Sequence, residues 1–222
     1  MFSLLKSCSS KSKLLFSSLT SAQNYYFANI GHQNVTSGKD RPVKKAAIVL
    51  SGCGVYDGSE ITEAVSYFIA LSNNGIPFDV FAPNKKQKDV INHLTGEKMD
   101  EKRNVLVESA RIARGHVKDL KELQESSYDA IFLPGGFGAA KNLSDFADKG
   151  EDLTVDETLA DILRKFHDKK KPIALCCISP IIAAKVFGKH TGKHKLRLTL
   201  GSKGEEWPYA GAIGKSKYFN FF

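Results

Sequence analysis

No acidic residue occurs before Asp40 and no arginine before Arg41. Residues 1–39 carry only Lys6, Lys11, Lys13 and Lys39 as charged side chains, among a dense set of serines (Ser7, Ser9, Ser10, Ser12, Ser17, Ser18). Lysines interrupt Leu4, Leu5, Leu14, Leu15 and Phe16, so the unbroken apolar core of a secretory signal is missing. A basic, serine-rich, acid-free start has the composition of an organelle transit peptide, and residues 1–41 read as a mitochondrial leader, with the matrix as destination. The lack of arginine is its departure from that class. Half of the net charge of +8 lies in this leader, and the mildly basic remainder contains no aromatic–basic module, which argues against a nucleic-acid partner. No apolar run is long enough to span a membrane.

Cysteine is also scarce. The four present (Cys8, Cys53, Cys176, Cys177) form no CxxC pair and no disulfide framework, and a bridge between neighbours Cys176 and Cys177 would need a strained ring. Cysteines and histidines nowhere fall at ligand spacing, so no metal is expected. A dinucleotide cofactor is not expected either. Gly52, Gly54 and Gly58 follow a strand, but their spacing is one residue too long for GxGxxG. The second strand ends in Pro83-Asn84, without the acid that would hold a ribose.

What is present is an alternation of strands and helices. Ala46 to Leu50 is a continuous apolar run of the kind buried on both faces. A glycine-rich loop, Ser51 to Ser59, leads into a predicted helix from Glu60 to Asn73, with Ile61, Val65, Phe68, Ile69 and Leu71 at helical spacing and Asn74-Gly75 as the stop. Strands are predicted at Phe78 to Ala82, Asp129 to Leu133, Pro172 to Cys176 and Leu196 to Leu200, and helices at Val155 to His167 and Pro180 to Phe187. Arg103 to Arg114 reads both ways: Val105 and Val107 alternate like a strand, while Ala110, Ile112 and Ala113 suit a helix. This order predicts one α/β domain around a mostly parallel sheet.

Ile173-Ala174-Leu175-Cys176 stops at a tight bend, and Ser179-Pro180 then reads as a helix start, serine capping and proline at the first position. Cys177 occupies the bend. This is the cysteine form of a nucleophile elbow, and a thiol beside the positive end of a helix is expected to have a lowered pKa. The alternative is that both cysteines are small buried hydrophobes. In parallel sheets, sites form at the carboxyl ends of strands, and the loops Gly52–Ser59 and Pro134–Gly138 leave such ends as the Cys177 turn does. Glu60 and Glu63, one helical turn apart, are candidates to pair with the thiol as general acid or base, or else simply complement the helix dipole. Gly135-Gly136 allows backbone amides the close approach of an oxyanion hole, or is a plain turn.

Taken together, LCCISP, LSGCGVYDGSEITEA, INHLTGE, RNVLVESARIARG and LPGGFGAAKNLS resemble the mitochondrial glutamine amidotransferase-like class 1 domain-containing protein 3 family, over residues from about 44 to 211. Bacterial relatives of that family are called enhancing lycopene biosynthesis protein. The wider superfamily holds class I glutamine amidotransferase-like folds, the PfpI proteases and the Parkinson-associated deglycase. The resemblance implies a flavodoxin-like three-layer α/β sandwich, a mitochondrial address and a homodimer. It further implies that Cys177 is the elbow cysteine, that Glu63 is its partner with Glu60 as second choice, and that Gly135, Gly136 and Ile178 line the oxyanion and substrate site. A glyoxalase-type reaction on small reactive carbonyls, without cofactor, is the implied activity; a non-catalytic redox-sensing or scaffold role is the alternative.

The chain departs from the superfamily in two places. Glutaminases carry His-x-Glu after the cysteine, and none of the six histidines here is followed two places on by glutamate. PfpI proteases carry histidine where this chain has Ile178. Glutamine hydrolysis and proteolysis are therefore not expected. The family pattern extends past Trp207-Pro208-Tyr209-Ala210-Gly211, whereas residues 214–222 resemble nothing in it. The expected organisation is a leader (1–41), a domain over 42–213 that lacks its C-terminal elements, and a divergent tail; marginal stability follows from the sheet surface left uncovered.

Overall fold

The computed structural model describes residues 44–188, 197–200 and 220–221. The leader and most of the tail lie outside these residues. Five strands, β1 (Ala46–Val49), β2 (Phe78–Ala82), β3 (Lys118–Asp119), β4 (Ala130–Leu133) and β5 (Ile173–Leu175), form a sheet in the order β3-β2-β1-β4-β5, with every neighbouring pair parallel. The strand order reverses at β1, so the crevice between β1 and β4 opens at their carboxyl ends.

Strand period decides which face each residue serves. Ala46, Ile48 and Leu50 turn to one side, with Val80 and Ala82, and pack under α1 (Ile61–Asn73) and α2 (Val105–Ala113). Ala47, Val49, Ile131, Leu133, Ile173 and Leu175 turn to the other. There they meet α3 (Phe137–Lys141), α4 (Phe146–Lys149), α5 (Glu157–Asp168) and α6 (Pro180–Phe187). The result is the expected three-layer α/β sandwich. A separate parallel pair joins β6 (Arg197–Leu198) to β7 (Asn220–Phe221). Within the predicted Leu196–Leu200 strand, Arg197–Leu198 is strand and pairs with Asn220–Phe221 of the tail, while Leu196 lies outside the described residues.

Three sequence expectations change. Within residues 103–114, Val105–Ala113 is helix, because Asn104 Oδ1 accepts from the N–H groups of Leu106 (2.9 Å) and Val107 (3.2 Å) and so caps α2. Val105 is buried and Val107 62% exposed, so their alternation reflects two sides of one helical turn. The buried stripe of α1 is Ala64, Tyr67 and Leu71. Ile61, Val65 and Ile69, expected to face the core, form an exposed row at 46%, 36% and 52%. Ser179 does not cap α6: its hydroxyl accepts from the Cys176 N–H (3.0 Å) and donates to Leu133 O or Cys176 O (2.9 and 2.8 Å). It ties the elbow to the end of β4 instead.

Candidate active site

β1, β4 and β5 deliver three turns to one crevice, and polar contacts staple them together. Glu60 N–H donates to Gly135 O (3.0 Å), Phe137 N–H to Val55 O (2.7 Å) and Gly138 N–H to Gly58 O (2.8 Å). The buried Asn142 amide donates to Ser51 O (2.8 Å) and Asp57 O (2.9 Å). The glycine-rich loop is thus fixed against the β4 turn before any ligand arrives.

Cys177 stands on the elbow with φ +53°, left-handed for a residue with a side chain. Such backbone strain is held in place by the surrounding turn, and it presents the residue at the surface while Cys176 and Ile178 on either side are buried. The sulfur itself is turned inward. A Cβ placed on Gly135 would lie 2.4 Å from Cys177 Cβ, 2.9 Å from its Sγ and 2.9 Å from Glu63 Oε2, so all three groups close on the one position that lacks a side chain.

The two candidate glutamates have different surroundings. Glu60 is the N-cap of α1, its Oε2 accepting the Glu63 N–H at 2.6 Å. Glu63 is aimed into the crevice: its Oε2 accepts the Gly135 N–H at 2.7 Å and the Cys176 thiol at 3.3 Å, and its carboxyl also meets the Cys177 thiol. Gly135 N–H is therefore committed to Glu63, whereas the N–H groups of Gly136 and Ile178 face the Cys177 sulfur.

The electrostatics reverse one expectation. Burial pushes the Cys177 thiol up, and the Glu63 charge adds to the effect, to about 11 against the contributions of the Gly136 and Ile178 amides. α6 begins at Pro180, beyond the sulfur, whereas the carboxylate touches it. Burial likewise raises Glu63, over the opposing Gly135 and Cys176 hydrogen bonds, with the Glu60 charge also raising it. Thiol and carboxyl therefore share their ionisation, and the resting cysteine keeps its proton.

Cys176 and Tyr67 belong to this cluster although the sequence did not single them out for it. Cys176 is raised to about 12, by burial first and then by Glu63, and Tyr67 lies beside it. The available signal was spacing: Tyr67 lies one turn after Glu63 on α1, on the face that also carries Ala64 and Leu71. Cys53 lies in the glycine-rich loop, part-buried, and its thiol is raised by burial and by Glu108. Among the described residues, no three His, Cys, Asp or Glu side chains are grouped to hold a metal, and no helix is long and apolar enough to cross a membrane.

Comparison with known proteins agrees with this architecture. Residues 45–212 match the DJ-1/PfpI family. The rat ES1 protein homolog, mitochondrial, is 49% identical over 181 residues, covering 80% of this chain and 66% of the relative. The human glutamine amidotransferase-like class 1 domain-containing protein 3, mitochondrial, is 49% identical over 175 residues, covering 77% of this chain and 63% of the relative. The chain thus spans slightly less than two thirds of the length of both. The crystal structure of an isoprenoid biosynthesis protein with an amidotransferase-like domain from Ehrlichia chaffeensis superposes with a TM-score of 0.67 at 40% identity, covering 72% of this chain and 74% of that one. On the match over residues 45–212, joined to the parallel sheet and its cysteine elbow, the chain belongs to the DJ-1/PfpI family.

Proposed function

We propose that this protein is a mitochondrial, cofactor-independent enzyme of glyoxalase type, converting a small dicarbonyl and water to a hydroxy acid. The observation that carries the reading is the pairing of the Cys177 thiol with the Glu63 carboxyl under two inward N–H groups, from Gly136 and Ile178. The mitochondrial address is supported by the names of the rat and human relatives and by the composition of residues 1–41, ahead of a domain over 42–213.

Cys177 Sγ adds to the aldehyde carbon while its proton passes to Glu63, so the nucleophile is activated at the moment of attack. The C–S bond forms and the carbonyl π bond breaks; charge developing on oxygen meets the Gly136 and Ile178 N–H groups, and Glu63 then returns the thiol proton to that oxygen, leaving a hemithioacetal and a free carboxylate. Glu63 next removes the proton from the former aldehyde carbon and delivers it to the neighbouring carbon, while the hemithioacetal hydroxyl proton passes to the neighbouring carbonyl oxygen. The aldehyde carbon is oxidised to a thioester and the adjacent carbonyl is reduced to an alcohol, with no external oxidant. Water cleaves the thioester, releases the hydroxy acid and restores the thiol.

Purified protein given glyoxal or methylglyoxal is expected to form glycolate or lactate, with turnover lost in Cys177→Ser. No turnover, together with selective peroxide oxidation at Cys177, would instead support the redox-sensing role. With neither result, a scaffold of this fold remains.

We also infer a homodimer, supported by the exposed Ile61–Val65–Ile69 row, which recurs every fourth residue on one side of α1. Light scattering is expected to give twice the chain mass, and Val65→Glu combined with Ile69→Lys to give a folded monomer. A monomeric parent would sink the idea.

A further inference from the structure

The carboxyl that faces Cys177 is held from behind by a second thiol. Cys176 Sγ donates to Glu63 Oε2 at 3.3 Å, the oxygen that already accepts the Gly135 N–H at 2.7 Å. Cys176 is 3% exposed, so this bond is buried between α1 and the sheet, beside the 6% exposed Tyr67.

We propose that Cys176 is a positioning residue that restrains the nucleophile by keeping the pair's negative charge on Glu63 and the proton on Cys177. This rests on the reading of Cys177 as the nucleophile. When the pair holds one proton, two arrangements compete: carboxylate with thiol, and carboxylic acid with thiolate. A donor aimed at Oε2 favours the carboxylate, because a hydrogen bond to a charged acceptor is stronger than one to a neutral acceptor. The groups facing Glu63 are Glu60 from its own helix, the Gly135 N–H from the β4 turn, and Cys176 and Cys177 from the elbow. Glu60 opposes the carboxylate, and Gly135 is backbone. Cys176 is thus the donor side chain that sets the balance.

A restraint of this kind has a directional signature. Removing the donor frees the nucleophile; strengthening it holds the nucleophile back. The test is the rate at which iodoacetamide alkylates Cys177, followed by mass spectrometry of the elbow peptide between pH 5 and 10. The parent is expected to show a rising limb set by Glu63, followed by a plateau. In Cys176→Ala the plateau is expected to rise about fivefold, the size of one net hydrogen bond, and the limb to move to higher pH. Cys176→Ser, with a stronger hydroxyl donor, is expected to alkylate more slowly with its limb at lower pH. Cys176→Ser carries the test alone should the alanine variant fail to fold. A purely structural role for Cys176 would lower the melting temperature of the alanine variant without moving the limb, and that result overturns the proposal. So do shifts of opposite sign. A parent limb that disappears in Glu63→Gln, yet is indifferent to residue 176, would overturn this inference and leave the Cys177–Glu63 pair standing. A parent profile with no Glu63-dependent limb would overturn both.

Discussion

Glu63→Gln is expected to lower Cys177-dependent turnover of glyoxal by roughly 10²–10⁴-fold, the range associated with losing a positioned general acid–base group. The amide retains an oxygen to accept the Gly135 N–H, so the crevice keeps its shape while the residue loses its ability to take a proton. The nucleophile rests as a thiol pushed up to about 11. Without the carboxylate it has no nearby base in the elbow, and turnover should survive mainly where solvent hydroxide ionises the thiol. In the parent, activity is expected to rise with pH through the raised Glu63 ionisation, above the ordinary carboxylate range, because the carboxylate is the form that accepts the proton. In the variant that limb should be absent.

Stability should move in the opposite direction. Burial raises the folded-state pKa of Glu63, so its favourable contribution is full below its unfolded value and is lost as pH rises through its folded value. Above its folded-state pKa the parent carries the cost of a desolvated carboxylate, and glutamine removes it. Glu63→Gln is therefore expected to melt no lower than the parent at pH 7 and to show a flatter dependence of melting temperature on pH above the carboxylate range. A variant that loses turnover because it loses its fold would show the reverse. Near-parental turnover in a folded Glu63→Gln protein would remove Glu63 from the mechanism.

Much of this arrangement is legible in the chain because strand burial and elbow chemistry are local. Ala46–Val49 and Ala130–Leu133 announce themselves as continuous apolar runs, and both lie in the middle of the sheet with helices on either side. The elbow is legible as well: an apolar strand, two cysteines and a proline three residues on leave Cys177 at the bend, where its φ is +53°. Electrostatic sign is not local. The lowered thiol expected from the helix start is reversed by burial and then by Glu63, which reaches the sulfur from α1 across the crevice, and no spacing around Cys177 encodes either. Helix facing was obscured for a related reason. α1 presents two neighbouring apolar rows, and periodicity alone does not say which one meets the sheet; the smaller Ala64, with Tyr67 and Leu71, packs inward and leaves Ile61, Val65 and Ile69 outside. Ser179 illustrates the same limit, since its hydroxyl is used by Leu133 and the Cys176 backbone, partners supplied by the fold.

The second large effect is expected at Gly136, where alanine should lower the melting temperature by roughly 5–20 °C. Two costs combine there. The backbone sits at φ +89°, ψ 159°, a region open essentially to glycine, which costs about 1–3 kcal/mol for any other residue. A Cβ would also land 2.4 Å from both Glu60 N and Gly58 O and 2.9 Å from Ser59 C, all of them backbone atoms. Neither contact can yield cheaply, because Glu60 N–H is bonded to Gly135 O at 3.0 Å and Gly58 O accepts Gly138 N–H at 2.8 Å. Overpacking of this kind costs about 1–3 kcal/mol more. The combined figure, about 2–6 kcal/mol, converts to that range at roughly 2–4 °C per kcal/mol for a domain of this size. Gly75→Ala separates the two contributions. Its φ is +66°, but a Cβ there meets nothing within 4 Å, so it carries conformational strain alone and should melt only a few degrees below the parent. Thermal denaturation of the two variants side by side therefore measures the close approach of the β4 turn to the glycine-rich loop. If Gly136→Ala melts with Gly75→Ala, the two turns are not locked together, and the inward N–H of Gly136 at the Cys177 sulfur is not held in place by the fold.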